Sequence, residues 1–478
     1  MKKGKFKMWI TLALLFHIAG FLSSINAVMT VRTSQGAIAW AISLNTMPYI
    51  AVPAYWVLGR SKFDGYSTAR QSSDEKVQAK MRELYDSLKE YSIAKSDLKP
   101  TSFAAEKLTN IPYLKGNSLE LLIDGDATFS SIIEGIDKAQ NYILFQFFIV
   151  HDDRIGKKVK KHLIAKAKEG VKIYFLYDEL GSIDLSDSYK DELKEAGVEL
   201  HDFHTQKGKA NRFQLNFRNH RKLVVVDGKK AWIGGSNVGD EYLGRDPKFG
   251  NWRDTHLCIE GPAAISSQIS FIEDWFWATE NFIEGLNWEA TASKTEDKQV
   301  IIIPSGPADK LETATLMFLQ AINSAKKRIW ISSPYFVPDD SILNAIELAR
   351  LRGVDVRILI PDKADHLATW LAAYTYFDDA ISSGVKFYRY MDGFLHEKVM
   401  LIDDTHASVG TANFDNRSMR LNFEITAMVA DKEFNSEVEK MFLEDFKKSV
   451  LIKKGIFTSK PFYFRLGASV ARLTAPVQ

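Results

Sequence analysis

Apolar positions along the chain fall into three patterns, and the first is two long uninterrupted runs. Residues 8–29 lie between Lys7 and Arg32, and residues 37–58 lie between Arg32 and Arg60. As a helix, each is long enough to cross the roughly 30 Å hydrocarbon core of a bilayer. Pro48 and Pro53 in the second run are tolerated in such a helix with kinking. Together the runs predict an N-terminal transmembrane hairpin over residues 1–62, with segments at about 8–29 and 37–58. Basic residues mark its outer ends, Lys2 to Lys7 on one side and Arg60 and Lys62 on the other, with Arg32 alone between them. The positive-inside rule then puts both ends, and the domains that follow, in the cytoplasm. The alternative for the first run is a cleaved signal peptide ending near Asn26-Ala27.

The second pattern is helical. In a connector over residues 63–116, Val77, Met81, Leu84, Tyr85 and Leu88 recur at amphipathic spacing, which suits a packing helix or an interfacial one. The third pattern begins near Leu119, where short apolar runs (119–123, 142–150, 171–177) alternate with helical segments around 129–139 and 155–167. A second half repeats it with runs at 300–303, 329–333 and 356–360 and helices at 314–325 and 342–349. Turns echo as well: Glu169-Gly170-Val171 matches Arg352-Gly353-Val354, and Ala196-Gly197-Val198 matches Ser383-Gly384-Val385. The fold class is therefore α/β, with a helix-covered sheet in each of two duplicated domains, 117–290 and 298–478.

The sharpest echo carries polar residues. His220-Arg221-Lys222, an apolar run to Asp227 and then Gly234-Gly235-Ser236-Asn237 recur as His396-Glu397-Lys398, a run to Asp403 and then Gly410-Thr411-Ala412-Asn413. The His, Lys, Asp, first Gly and Asn pairs share one interval of 176 residues. Residues two apart on an extended segment face the same side, so each His shares a pocket with its Lys. Runs 223–226 and 399–402 are predicted as buried strands, and Asp227-Gly228 and Asp403-Asp404 as hairpin turns. The small residues after each turn let a backbone approach a ligand closely.

Two imidazoles, two ammonium groups and two amides suit phosphodiester exchange. A neutral His attacks phosphorus, a protonated His supplies the leaving alkoxide with a proton, and the Lys and Asn pairs neutralise the nonbridging oxygens. Neither a metal nor another cofactor is needed for this scheme. A carboxylate is expected behind each imidazole, and Glu424 and Asp254 are the candidates, since each follows one copy of the motif. Ser418 is a candidate phosphate contact or a helix cap. His17, His151, His201, His204 and His406 lack a repeated partner and are set aside.

The duplicated stretch resembles the paired HKD motifs of the phospholipase D superfamily. The strings HRKLVVVDGKKAWIGGSNVGDEY and HEKVMLIDDTHASVGTANFDNRSMRLNFE are similar to those of its bacterial cardiolipin synthases, and the likeness extends over nearly the whole chain. The resemblance implies an active site at a pseudo-twofold interface, with His220 as nucleophile and His396 as general acid. It also implies catalytic Lys222, Lys398, Asp227 and Asp403, although the two Asp fit turn positions equally well. Transfer of a phosphatidyl group between two phosphatidylglycerol molecules follows as the expected reaction, with phosphatidylethanolamine a further possible donor. Its rivals are a membrane-bound phospholipase D that hydrolyses headgroups, a nuclease, and an inactive membrane scaffold.

Composition trims these options. In 478 residues the formal net charge is only +2, which argues against a polybasic nucleic-acid binder. One cysteine, Cys258, excludes an internal disulfide and a cysteine-rich metal site. Two features are left over: a basic and aromatic loop at 206–217, and a C-terminal tail rich in Phe, Tyr, Lys and Arg that suits lipid headgroups or a packed terminal helix. The partners expected are phospholipids and the bilayer, and the sequence sets no oligomeric state.

Overall fold

A computed structural model of the chain describes residues 2–59, 62, 63, 66, 86–94, 100–204 and 216–478. Most of the predicted connector helix, and the basic loop from 206 to 215, lie outside the described residues. The chain divides into two compact units, one holding residues 1–66 with 204–217 and the other nearly all the rest.

In the first unit a helix runs unbroken over Lys2–Thr30. Its segment Lys5–Thr30 is the one helix among the described residues that is long and apolar enough to cross a membrane. The second apolar run departs from the expectation. It forms two helices, Ser34–Thr46 and Pro48–Leu58, separated at Met47, whose φ of −133° and ψ of 53° are non-helical. Pro48 explains the break, because its ring disfavours the α conformation in the residue before it. At 13 and 11 residues the helices reach roughly 20 and 16 Å, short of a bilayer core.

Contacts show the path. A Cβ at Gly20 would lie 2.2 Å from the Leu44 carbonyl oxygen and 3.1 Å from the Pro48 ring, so the second helix has come back only to the middle of the first. From there Tyr49 packs beside Phe16 and His17. The Trp56 indole donates to Ser23 (3.1 Å) and the Tyr55 hydroxyl to Asn26 (2.6 Å), close to Thr30. The third helix thus advances with the first, and Leu58 returns to the end where Thr30 lies. In place of the single second helix expected over residues 37–58, the chain forms a broken pair of short helices that doubles back along the first.

The second unit is built on one long sheet. From its centre outward the first half contributes strands Leu114–Ile123, Thr255–Glu260, Lys230–Gly234, Leu223–Val226, Tyr142–Phe147, Lys172–Asp178 and Glu199–Phe203. The second half contributes Lys298–Ser305, Asn422–Val429, His406–Gly410, Val399–Ile402, Arg328–Ser332, Asp355–Pro361 and Lys386–Tyr390 in the matching order, then Ser449–Leu451. The halves join where Leu114–Ile123 pairs antiparallel with Lys298–Ser305. Every residue of Tyr142–Phe147 is buried, as expected of a strand with both faces covered.

Two short parallel pairings cross between the halves. Arg218–Asn219 pairs with the start of Asn422–Val429, and Phe394–Leu395 pairs with Trp252–Arg253. Behind each crossing sits a buried guanidinium. Arg221 donates to Asp274 (2.7 Å) and to the Glu424 carbonyl (3.0 Å). Arg253 makes a two-pronged contact with Asp445 (2.8 and 2.9 Å) and reaches Asp124 (3.1 Å) and Glu397 (2.7 Å). Both Asp274 and Asp445 project from the helix that follows the last long strand of their half, Pro262–Thr279 and Lys432–Lys447.

Three carboxylates around one guanidinium leave excess negative charge. Burial pushes Glu397 up to about 8 and Asp445 is raised with it, despite the pull of Arg253. The folded chain therefore holds a proton that the unfolded chain releases, so stability is full below the ordinary carboxyl range and falls as pH rises towards about 8. Glu397→Gln, which keeps the shape without the charge, should lose less of its thermal unfolding midpoint between pH 6 and 8.5, the gap being roughly a few degrees. Parallel curves for wild type and variant would refute the assignment.

The doubled-back path makes a second prediction. Because Cys258 is buried, new cysteines can be labelled selectively. With Lys2 to Lys7 held inside, an impermeant maleimide added to spheroplasts should label Lys62→Cys and spare Lys5→Cys. Protection of both would mark a second crossing instead.

Candidate active site

Each His of the duplicated motif lies just before a buried apolar strand and is seated by the opposite half. The His220 amide donates to the Phe423 carbonyl (2.9 Å) and the His396 amide to the Arg253 carbonyl (2.8 Å). The next residue in each case is a carboxylate aimed at the ring. His220 Nδ1 lies 3.0 and 2.9 Å from the two oxygens of Glu424, and His396 Nδ1 lies 2.8 Å from Asp254. The positioning carboxylates expected from sequence are thus found, and each comes from the half that does not supply the His.

All four groups are buried. Glu424 and Asp254 are 0% exposed, and His220 and His396 are 8% and 7% exposed. Burial would raise both acids, yet His220 and Lys222 hold Glu424 below the usual carboxylate range, and His396 and Lys398 do the same for Asp254. Ionised carboxylates only accept, so each Nδ1 carries its proton and each Nε2 lone pair is free for chemistry. Burial drives both imidazoles down to about 4, against the pull of their acids, so both are neutral at pH 7.

Lys222 and Lys398 donate to the carbonyls of His220 and His396, the first at 2.7 Å. Burial lowers Lys398 to about 8 and Lys222 well below its usual range. Each Lys also depresses the imidazole of the opposite motif, which places the four groups in one electrostatic neighbourhood. Phe148 packs on His220, and Trp252 and Tyr242 pack on His396.

Asp227 and Asp403 are elsewhere. Both adopt positive φ, 53° and 51°, in the turns after the motif strands. Asp227 accepts the amides of Gln140, Asn141 and Tyr142 (2.8–2.9 Å), and Asp403 those of Lys326, Lys327 and Arg328 (2.8–3.1 Å). Each lies five positions beyond its Lys, past a four-residue extended strand, roughly 16 Å away. The expectation that they are catalytic is therefore corrected: they anchor the edge of a neighbouring strand.

Ser418 is also corrected. Its hydroxyl donates to Glu424 (2.7 Å), and its amide is itself capped by Asp415 (2.7 Å), so it orients the carboxylate. Asn237 accepts from the Ile149 amide (3.2 Å) and donates to the Tyr242 hydroxyl (2.7 Å), while the Asn413 side chain bonds Asp415. The glycine corner also has a different purpose. A Cβ at Gly235 would sit 1.9 Å from Asp254 Oδ1, so the small residue admits the positioning acid. At the equivalent place Thr411 donates to Glu424 (2.5 Å), so a longer acid with a hydroxyl replaces a shorter acid against bare backbone.

Thr411 escaped the sequence reading because a threonine after glycine carries no chemistry alone. His256 escaped too: it is fully buried beside Gly234 with neither ring nitrogen hydrogen-bonded. Its two-residue offset from Asp254 on one strand was the available signal. Among the set-aside histidines, His151 pairs with Glu241 (3.2 Å) and His201 packs edge-on against Trp275. Among the described residues no group of three or more His, Cys, Asp or Glu has metal-binding geometry.

Comparison with known proteins agrees with this arrangement. The family described as "Cardiolipin synthase, PLD-like domain" matches residues 132–262 and 318–446, one region per half. Proteins named cardiolipin synthase A from Pseudomonas fluorescens Pf-5 and Pseudomonas putida W619 are each 45% identical, over 97% of this chain and 97% of their own length. Among solved structures, a phosphatidylserine synthase from Haemophilus influenzae superposes with a TM-score of 0.61 at 16% identity, covering 80% of this chain and all of the other, which shows the shared fold. The chain belongs to the cardiolipin synthase family, a phosphatidyltransferase group within the phospholipase D superfamily.

Proposed function

We propose that this enzyme transfers a phosphatidyl group from one phosphatidylglycerol to another through a phosphohistidine at His220. The observation that carries this reading is the crossed pair of imidazole–carboxylate contacts, His220 with Glu424 and His396 with Asp254, which leaves two Nε2 atoms available from two halves. In the first step His220 Nε2 attacks phosphorus and the P–O bond to glycerol breaks. His396, protonated once the anionic lipid is present, gives its proton to the departing glycerol oxygen. In the second step the terminal hydroxyl of another phosphatidylglycerol passes its proton to His396 and attacks phosphorus. The P–N bond breaks, giving cardiolipin and restoring His220.

Lys222 and Lys398 neutralise the nonbridging oxygens, and Asn237 and Asn413 turn their amides from Tyr242 and Asp415 towards the same oxygens. Glu424, steadied by Thr411 and Ser418, holds the nucleophile's ring, and Asp254 holds the acid's. One phosphodiester replaces another, so no nucleotide is consumed. Holding the acceptor lipid beside the intermediate raises its effective concentration over water, and this separates synthesis from headgroup hydrolysis. Phosphatidylethanolamine fits the same donor chemistry, with ethanolamine leaving in place of glycerol.

Purified enzyme given labelled phosphatidylglycerol should yield cardiolipin and free glycerol. Phosphatidic acid as the dominant product would instead identify a hydrolase. Rapid quenching should trap an acid-labile, alkali-stable phosphatidyl label on the protein. His220→Ala should abolish both label and turnover, and His396→Ala should cut turnover by roughly 10²–10⁴ while leaving the chain folded. Full activity in either variant would overturn the assignment.

A further inference from the structure

The tail set aside in the sequence forms the helix Phe462–Arg472, and its faces are sharply divided. Ala468 is buried, while Phe464 packs on Trp370 and Tyr374 and Ala471 joins the same core, so one face is seated on the second half of the sheet. On the other side Phe462, Tyr463, Leu466, Val470 and Leu473 are 70, 76, 52, 55 and 79% exposed. At 100° per residue these five fall within one arc of roughly 100°, a continuous apolar stripe turned to solvent. Arg465 and Arg472 lie together beyond the seated face. From residue 452 onward the chain carries Lys453, Lys454, Lys460, Arg465 and Arg472 and no acidic residue, although the whole chain is nearly neutral.

Lys460 lies over the Tyr374 and Phe464 rings and Arg472 over Tyr376, and the Asp378 carboxylate accepts the Gly455 and Thr458 amides, so the tail is seated while its sequence stays basic. An apolar stripe flanked by basic residues matches the boundary between headgroups and acyl chains of an anionic bilayer. We infer that the helix Phe462–Arg472 is an interfacial docking element, inserting Phe462, Leu466, Val470 and Leu473 into the surface of a phosphatidylglycerol-containing membrane. Such docking would bring lipid to an enzyme whose two substrates never leave the bilayer, so its role in turnover rests on the reading above. A second copy of this chain, the other occupant an apolar stripe invites, would in a symmetric contact set the same basic tail against itself.

The test uses the full chain in vesicles. Leu466→Cys carrying a polarity-sensitive fluorophore should emit as if in an apolar medium and be quenched by lipid-borne quenchers. The same probe at Glu437, exposed on another helix, should remain aqueous. Replacing phosphatidylglycerol with zwitterionic lipid should weaken the quenching. Aqueous emission at residue 466 would overturn the proposal, and so would apolar emission that follows protein density without lipid quenching, which marks a second copy.

Turnover supplies an independent arm. Leu466→Asp with Val470→Asp should lower kcat/KM on vesicle lipid by roughly tenfold or more and spare a monomeric short-chain substrate; equal losses on both would point to a damaged site and refute docking. Probe insertion is read without catalysis, so failure of the cardiolipin reading leaves it standing.

Discussion

Everything in the catalytic unit depends on burying two imidazoles that must each keep one nitrogen free. A buried imidazole needs a partner for its N–H, and a carboxylate on the same strand would face the wrong way or crowd the reacting side. The duplicated fold answers by exchange: each half supplies the acid for the other's His. Pairing Asn422–Val429 with Arg218–Asn219 places Glu424 behind His220, and pairing Phe394–Leu395 with Trp252–Arg253 places His396 before Asp254. The same amide-to-carbonyl contact, from His220 to Phe423 and from His396 to Arg253, fixes both rings from below. Neither half alone contains either imidazole–carboxylate contact.

The exchange is symmetric in outline and asymmetric in detail. Glu424 accepts from His220, Thr411, Ser418 and Asn422, whereas Asp254 accepts from His396, the Thr255 amide and, at 3.4 Å, the Trp252 indole. Both supporting guanidiniums come from the first half. Arg221 sits inside the first motif, while Arg253, on the short strand Trp252–Arg253, serves the second, where the motif carries Glu397 instead. Each reaches a buried aspartate on the helix that follows the last long strand of a half, Arg221 to Asp274 and Arg253 to Asp445. The type of contact is kept although the residues that make it are not equivalent in the two copies.

What was legible in the sequence was what repeats at a fixed interval. The interval of 176 residues exposed the strands, turns and paired His and Lys, and the acids after each motif proved to be the ring partners. Residues whose meaning depends on a neighbour distant in sequence were not legible. Asp227 looks the same whether it meets a substrate or three backbone amides, and Gly235 the same whether it admits a ligand or Asp254. The break in the second apolar run was hidden for another reason. Apolar composition over residues 37–58 is common to one long helix and to two short ones, and the deciding feature is the single backbone break at Met47 before Pro48.

Under the proposed exchange, charge balance explains how a site with two neutral imidazoles performs acid catalysis. The carboxylates of Glu424 and Asp254 stand against Lys222 and Lys398, and burial keeps both imidazoles neutral. A lipid phosphodiester adds one negative charge to a place that solvates charge poorly. Protonating one imidazole restores neutrality, and the carboxylate already seated on its Nδ1 steadies the resulting cation. Under the proposed exchange the proton for the leaving glycerol thus arrives with the substrate, and the site acquires its acid only when there is a bond to break.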